Sequence, residues 1–271
     1  MMFYLWKLRL FKNSAINYVW RYWQAWRGNC VGNYSDLPAY IKEYAPGSSF
    51  VDVGSMWGVD GRYAFIAEKA GATSVKAVDI YGPTPEFEQE AAEHNSSVEF
   101  ILGDITSLET LAKIGNVDVV FCAGVLYHHP NPYELLVALR RICNKTLILR
   151  TFAIPEIKGL ANAAIFFPHL AQKDRQIWDL ASLGLANQPG ISDAFDLADG
   201  YSNYFWGMTP SCLRSLLKTA GFNVQVQAIE AFAQTFVCEP ADVPFEHMLK
   251  DAEQARKIAA KISSRGEARP A

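Results

Sequence analysis

The sequence predicts a doubly wound α/β domain, and two observations carry that prediction. From about residue 48 to 150, short apolar, β-branched runs alternate with longer segments of helical spacing. This rhythm builds a parallel sheet covered by helices on both faces. Three acids, Asp52, Asp79 and Asp104, fall at or just after the ends of three successive strand candidates, where such sheets bind ligands.

The strand candidates are Ser49–Val53, Ser74–Asp79, Val98–Leu102, Val117–Cys122 and Lys145–Thr151. Helix candidates lie between them at Gly58–Ala70, Pro85–His94, Ser107–Ile114 and Pro132–Cys143. Parallel strands need crossover connections, which are right-handed, so the helices fall on both faces. The rhythm breaks after Thr151. Some 55 residues rich in Pro and Gly follow, too many for a plain loop. Their apolar clusters, Ala161–Leu170 and Ile177–Leu185, are expected to be short helices of a lid, and Tyr201–Trp206 is a dense aromatic patch. The pattern resumes with a helix at Pro210–Ala220, capped by Thr209, started by proline and stopped by Gly221. Strands Phe222–Ile229 and Gln234–Cys238 follow with only a short link, which allows an antiparallel pair. A charged helix near Phe245–Ser264 and a polar tail finish the chain.

The expected organisation is an N-terminal aromatic, basic helical segment (1–45), a nucleotide-binding core (46–151), a helical lid (152–207), core completion (208–240) and a C-terminal helix and tail (241–271). With 271 residues, 50% of them hydrophobic, the chain can bury one full-sized core with additions. Net charge is -3 and pI about 6.0, which gives no support to a global polyanion-binding role. The five cysteines, Cys30, Cys122, Cys143, Cys212 and Cys238, show neither a disulfide framework nor metal-ligand spacing. They read as buried thiols in a reducing compartment. No run reaches the roughly 20 apolar residues that cross a bilayer. Lys7, Arg9, Lys12, Arg21 and Arg27 interrupt the apolar start, which lacks the layout of a signal peptide. A cytoplasmic protein is expected.

The sharpest local signal is Phe50-Val51-Asp52-Val53-Gly54-Ser55-Met56-Trp57-Gly58, a strand running into a glycine turn that opens a helix. Small residues there let a nucleotide-like ligand approach the backbone, and the helix N-terminus offers N–H groups. Asp79 ends the next strand, where a carboxylate accepts ribose hydroxyl protons. Asp104 follows the third, placed for an adenine amino group, with Ile105 able to pack on the ring. Ser55, Ile80 and Ala123 stand beside these and complete the candidates for cofactor contact.

These residues resemble the class I S-adenosylmethionine-dependent methyltransferases across about residues 48–150 and again over 208–239. In that family the first motif is an acid followed by three glycines at alternate positions. Asp52, Gly54 and Gly58 match it, while Met56 replaces the middle glycine. The resemblance implies S-adenosylmethionine as cofactor, Asp79 on its ribose and Asp104 on its adenine. It also implies a Rossmann-like, mostly parallel sheet of seven strands with an antiparallel last strand. The block from Phe121 to Pro132, Phe-Cys-Ala-Gly-Val-Leu-Tyr-His-His-Pro-Asn-Pro, resembles the family's fourth motif, which lines the space between methyl group and acceptor. Within it Gly124–His128 is similar to the branch that includes the transfer-RNA wobble-uridine carboxymethyltransferase. A dinucleotide-binding dehydrogenase shares the glycines and the second-strand acid; the third-strand acid and the fourth motif oppose it.

Methyl transfer is an in-line displacement, so the protein must chiefly align the acceptor and exclude water. A hydroxyl acceptor gains from a base, and His128 and His129 are the candidates. Each also reads as a structural or substrate-positioning residue, and Tyr127 reads as packing over the cofactor. Acids outnumber bases in the lid, where Glu156, Asp174, Asp179, Asp193, Asp196 and Asp199 face Lys158, Lys173 and Arg175. That balance disfavours nucleic acid. The first 30 residues hold five basic and no acidic side chains, with Ile16, Trp20, Trp23 and Arg27 at helical spacing. Such a helix suits packing on the domain, or contact with an anionic membrane or polyanionic acceptor. The expected activity is O-methylation of a small-molecule, lipid or glycan hydroxyl. Transfer-RNA methylation, a non-catalytic binding protein and an NAD-dependent oxidoreductase on the same fold are the alternatives, the binding protein favoured should Met56 or Trp57 block the pocket.

Overall fold

The computed structural model describes residues 37–154, 156–157, 159–167, 205–229 and 233–242. Contacts divide the chain into a compact unit of residues 1–240 and a second of 241–271. The expected N-terminal helix, the helix at Ile177–Leu185 and the C-terminal helix lie outside the described residues.

In chain order the elements are α1 (Leu37–Tyr44), β1 (Ser49–Val53), α2 (Arg62–Lys69), β2 (Ser74–Asp79), α3 (Pro85–Glu93), β3 (Glu99–Leu102), α4 (Leu108–Ile114), β4 (Val117–Ala123), α5 (Pro132–Ile142) and β5 (Cys143–Phe152). Then come β6 (Ala164–Phe167), β7 (Phe205–Met208), α6 (Pro210–Thr219), β8 (Phe222–Ile229) and β9 (Ala233–Pro240). A seven-stranded sheet runs in the order β3-β2-β1-β4-β5-β9-β8. Its first five strands are parallel, and β9 is antiparallel to both neighbours.

The central strands β1, β4 and β5 are largely buried on both faces, and their side chains divide between two cores. Val51, Val53, Val120, Leu147 and Leu149 pack with Leu111, Leu135, Leu139, Leu213 and Leu217 from α4, α5 and α6. Phe50, Phe121 and Ile148 pack with Ile41, Phe65 and Phe87 from α1, α2 and α3. Successive residues of a strand point to opposite faces, so the odd and even positions of β1 and β5 serve different helix layers.

Helix boundaries follow their caps. Thr84, Asn131 and Thr209 each accept a main-chain N–H of the first turn with the side chain, and proline follows each as the first helical residue. Two expectations are corrected. The helix predicted from Gly58 begins at Arg62, because Gly58, Asp60 and Gly61 all have positive φ (69, 50 and 72°) and a right-handed helix cannot run through them. The helix expected over Ala161–Leu170 contains instead β6, paired antiparallel with β7 in a separate two-stranded sheet. Ile165, Phe166 and Phe167 follow one another there, a run that suits a strand as well as a helix.

The four described cysteines, Cys122, Cys143, Cys212 and Cys238, are free and buried. No described helix is long and apolar enough to cross a membrane.

Candidate active site

The carboxyl ends of β1 to β5 open on a cavity of about 390 Å³, within the size range of small-molecule sites. Its wall includes Gly54, Trp57, Gly58 and Tyr63 after β1; Asp79, Ile80 and Tyr81 after β2; Gly103, Asp104 and Ile105 after β3. Ala123, Gly124, Val125, Tyr127, His128 and His129 follow β4, and Arg150, Thr151 and Phe152 end β5. Most of the sequence-derived candidates therefore meet around one space.

Asp52 and Ser55 do not reach it. Asp52 is 1% exposed, one carboxylate oxygen accepts the Ala64 N–H, and the other has no partner among the described residues. It thus serves the first turn of α2, whose own cap residue, Gly61, has no side chain. Burial, and then the charge of Asp79, push its carboxyl up to about 8. Ser55 is fully buried and donates its hydroxyl to the Val78 carbonyl at 3.3 Å.

The glycine turn is held close to the sheet. Gly54 has φ +78°, and a Cβ added there would overlap the Val125 side chain. Met56, the residue in place of the middle glycine, points away from the cavity into the core under α2 and is 1% exposed. Its N–H donates to Asp79 Oδ2 at 2.8 Å, while Tyr81 N–H donates to Oδ1 at 2.9 Å. The N–H groups of Ile80 and Trp57 also act on this carboxylate. Burial nevertheless raises its pKa, outweighing those hydrogen bonds. Trp57 stands in the wall, with its ring 6.0 Å from Tyr81 and 5.7 Å from His128. Neither Met56 nor Trp57 fills the cavity. Asp104 Oδ1 accepts both the N–H and the hydroxyl of Thr106 at 2.8 Å, which fixes the carboxylate beside Ile105.

After β4 the chain turns at Gly124, whose φ is +83°, and both His128 and His129 N–H groups return to the Val125 carbonyl. His128 lies between the rings of Trp57 and Tyr127, the latter 4.1 Å away. Nδ1 of His129 contacts the Asn131 carbonyl at 2.8 Å and its N–H at 3.1 Å, and burial lowers its pKa. The two-stranded sheet braces this loop from outside: Trp206 donates its main-chain N–H to Tyr127 and its indole N–H to Pro130.

Sequence reasoning missed Tyr63, Arg150 and Phe152 as wall residues. Their positions are in helix and strand patterns that carry no motif, so only assembly of the sheet brings them to the cavity.

Residues 51–148 match the family described as "Methyltransferase domain". A search of curated proteins finds no match. Among solved structures the chain is similar to the N-terminal domain of EvdMO1 with SAH bound, at 19% identity over 76% of this chain and 79% of that one, with TM-score 0.52. It is also similar to Burkholderia thailandensis 1,6-didemethyltoxoflavin-N1-methyltransferase, at 16% identity over 76% of each chain and TM-score 0.52. A third is magnesium protoporphyrin IX methyltransferase from Synechocystis PCC 6803, at 20% identity over 76% and 81% and TM-score 0.50. These likenesses establish the fold. Residues 51–148 thus match a methyltransferase domain, and the sheet around them has the fold of these solved structures.

Proposed function

We propose that this protein transfers the methyl group of S-adenosylmethionine to a hydroxyl of a small-molecule, lipid or glycan acceptor, with His128 as general base. The observation that carries the reading is one continuous cavity bounded by Asp79 and Asp104 at one end and by His128 and Arg150 beyond. The cradle suits the cofactor. Gly54 lines the cavity with bare backbone, the space a Cβ would take being filled by the Val125 side chain. Asp79 keeps acceptor capacity on both oxygens for ribose hydroxyls, and Asp104 with Ile105 suits adenine.

The cofactor supplies an electrophilic methyl group on a sulfonium. The chain's own residues orient the acceptor, exclude water and take a proton. His128 lines the space next to the β4 turn, held by Trp57 and Tyr127, and accepts the acceptor's hydroxyl proton. His129, tied to the main chain of Asn131, holds the loop. Among the described residues that line the cavity Arg150 is the only Lys or Arg, which favours a small acceptor over transfer RNA, whose phosphates call for several cations. The toxoflavin-type substrate bound by the Burkholderia protein is a small molecule too.

The test is calorimetric titration with S-adenosylhomocysteine, with NADH and an Asp79→Ala variant as controls. Saturable binding that the variant loses supports the reading. Preference for NADH, or no binding at millimolar ligand, overturns it.

A further inference from the structure

Charge and aromatic residues are not spread evenly along this chain. Residues 1–30 hold five basic side chains, Lys7, Arg9, Lys12, Arg21 and Arg27, together with nine aromatic ones and no acid. The remaining 241 residues hold 20 basic and 28 acidic side chains. Cations and rings gathered on one segment, apart from an acidic body, match the two layers of a lipid interface. Anionic headgroups attract the cations, and Trp and Tyr rings settle at headgroup level.

A second feature lies among the described residues. Ile157, Leu160, Ile165 and Phe166, within a stretch of ten residues, are 38%, 55%, 40% and 40% exposed. Ile157 and Leu160 pair across a tight turn. Ile165 and Phe166 are neighbours on β6 and so point to opposite faces of its two-stranded sheet, and both faces therefore present apolar surface. Single exposed apolar side chains are ordinary, but four on one short stretch mark a contact surface.

Both features lead to the same end of the sheet. β5 ends at Phe152, which lines the cavity, and the apolar stretch follows it. Residues 1–30 lead to α1, whose first residue, Leu37, also lines the cavity. The seven residues from Cys30 to Leu37 reach about 25 Å when fully extended. A surface that holds the end of the segment therefore lies within that reach of the cavity wall.

We propose that residues 1–30, with Ile157, Leu160, Ile165 and Phe166, dock the protein on an anionic lipid surface, the cations on the headgroups and the apolar side chains beneath them. This docking does not depend on the methyltransferase reading.

The test is co-sedimentation of the full-length protein with vesicles, one set of phosphatidylcholine alone and one of equal parts phosphatidylcholine and phosphatidylglycerol. Binding to the anionic set is expected to be at least about tenfold tighter and to weaken as salt is raised, a series that needs no variant. Lys7→Gln, Arg9→Gln, Lys12→Gln, Arg21→Gln and Arg27→Gln together abolish the preference for the anionic set. Ile165→Ser with Phe166→Ser weakens vesicle binding by about tenfold, with S-adenosylhomocysteine affinity and circular dichroism kept. Should that pair unfold, Leu160→Ser makes the same comparison at the most exposed of the four sites. Equal binding to both sets, or to neither, overturns the proposal; retention of transfer RNA in place of vesicles overturns it too and assigns the cations to a nucleic acid. Serine variants that lower the melting temperature and leave vesicle binding unchanged show that the apolar stretch serves the chain's own packing, which overturns its part in docking. Protein that docks on the anionic set yet fails to bind S-adenosylhomocysteine sinks the methyltransferase reading and leaves the docking in place.

Discussion

Asp52 and Asp79 end adjacent strands of the sheet, and the charge of Asp79 adds to burial in raising the Asp52 carboxyl to about 8. The unfolded chain releases this proton near 3.8. Between those values the folded state holds a proton that the unfolded state has lost, so stability falls as pH rises through the window. Asp52→Asn keeps an acceptor for the Ala64 N–H and removes the titration. We expect its melting temperature to vary less than wild type's between pH 4 and 8 and to exceed it at pH 8, by about 2–4 °C for each kcal/mol recovered. Parallel pH profiles for the two proteins count against a protonated Asp52.

Gly54 and Val125 make a second checkable pair. Gly54→Ala drives a Cβ into the Val125 side chain at a φ of +78°, costing about 1–3 kcal/mol for the overlap and roughly 1–2 kcal/mol for the left-handed backbone. Adding Val125→Ala recovers the overlap and leaves the backbone cost. Chemical denaturation of the two single variants and the double variant separates these contributions, and strict additivity contradicts the contact.

Much of this site is legible in the sequence because its parts are local. A strand followed by Gly54 and Gly58, an acid closing the next strand at Asp79 and another at Asp104 are read directly from spacing. What spacing does not reveal is which way a residue points. Asp52 and Asp79 look equivalent as strand-end acids, yet Asp52 turns under α2 and Asp79 reaches the cavity. Met56 looks like an obstruction in the glycine motif and is instead a core residue of the α2 face. Arg150 and Thr235 lie 85 positions apart and meet only when β5 and β9 pair. The strand β6 was hidden for the opposite reason: its short apolar run fits either period until β7 is there to pair with it.

Asp79 receives two well-formed main-chain hydrogen bonds, from Met56 and Tyr81, so it couples the shape of the turn to the ribose site proposed above. Asp79→Asn retains the size but must turn an amide group toward one of those N–H donors. A stability loss of about 1–3 kcal/mol is expected, together with at least a tenfold loss of S-adenosylhomocysteine affinity. Full affinity in a destabilised Asp79→Asn protein separates the carboxylate from the cofactor.

His128 and His129 are expected to separate by kinetics. His128→Ala, once an acceptor is in hand, lowers kcat by about 100- to 10,000-fold with S-adenosylhomocysteine binding intact. His129→Ala loosens the contact with Asn131 and lowers thermal stability, with the pH profile unchanged in form. A kcat that survives His128→Ala transfers the proton to another acceptor, His129 first.

Trp206 links the two-stranded sheet to the loop that carries His128 and His129 through its indole N–H on the Pro130 carbonyl, 3.3 Å away, and its ring stacks on Phe166 at 4.4 Å. Trp206→Phe keeps an aromatic ring against Phe166 and the main-chain bond to Tyr127 while removing the indole donor. Pro130 belongs to the segment that fixes His128 and His129 but makes no wall for adenosine, so the cost should fall on chemistry and not on cofactor affinity. One hydrogen bond of about 1 kcal/mol corresponds to roughly a fivefold decrease in kcat, with S-adenosylhomocysteine binding within about twofold of wild type. Equal losses in both measurements make Trp206 a general support of the domain; a loss confined to kcat makes β7 the element that sets the histidines in place.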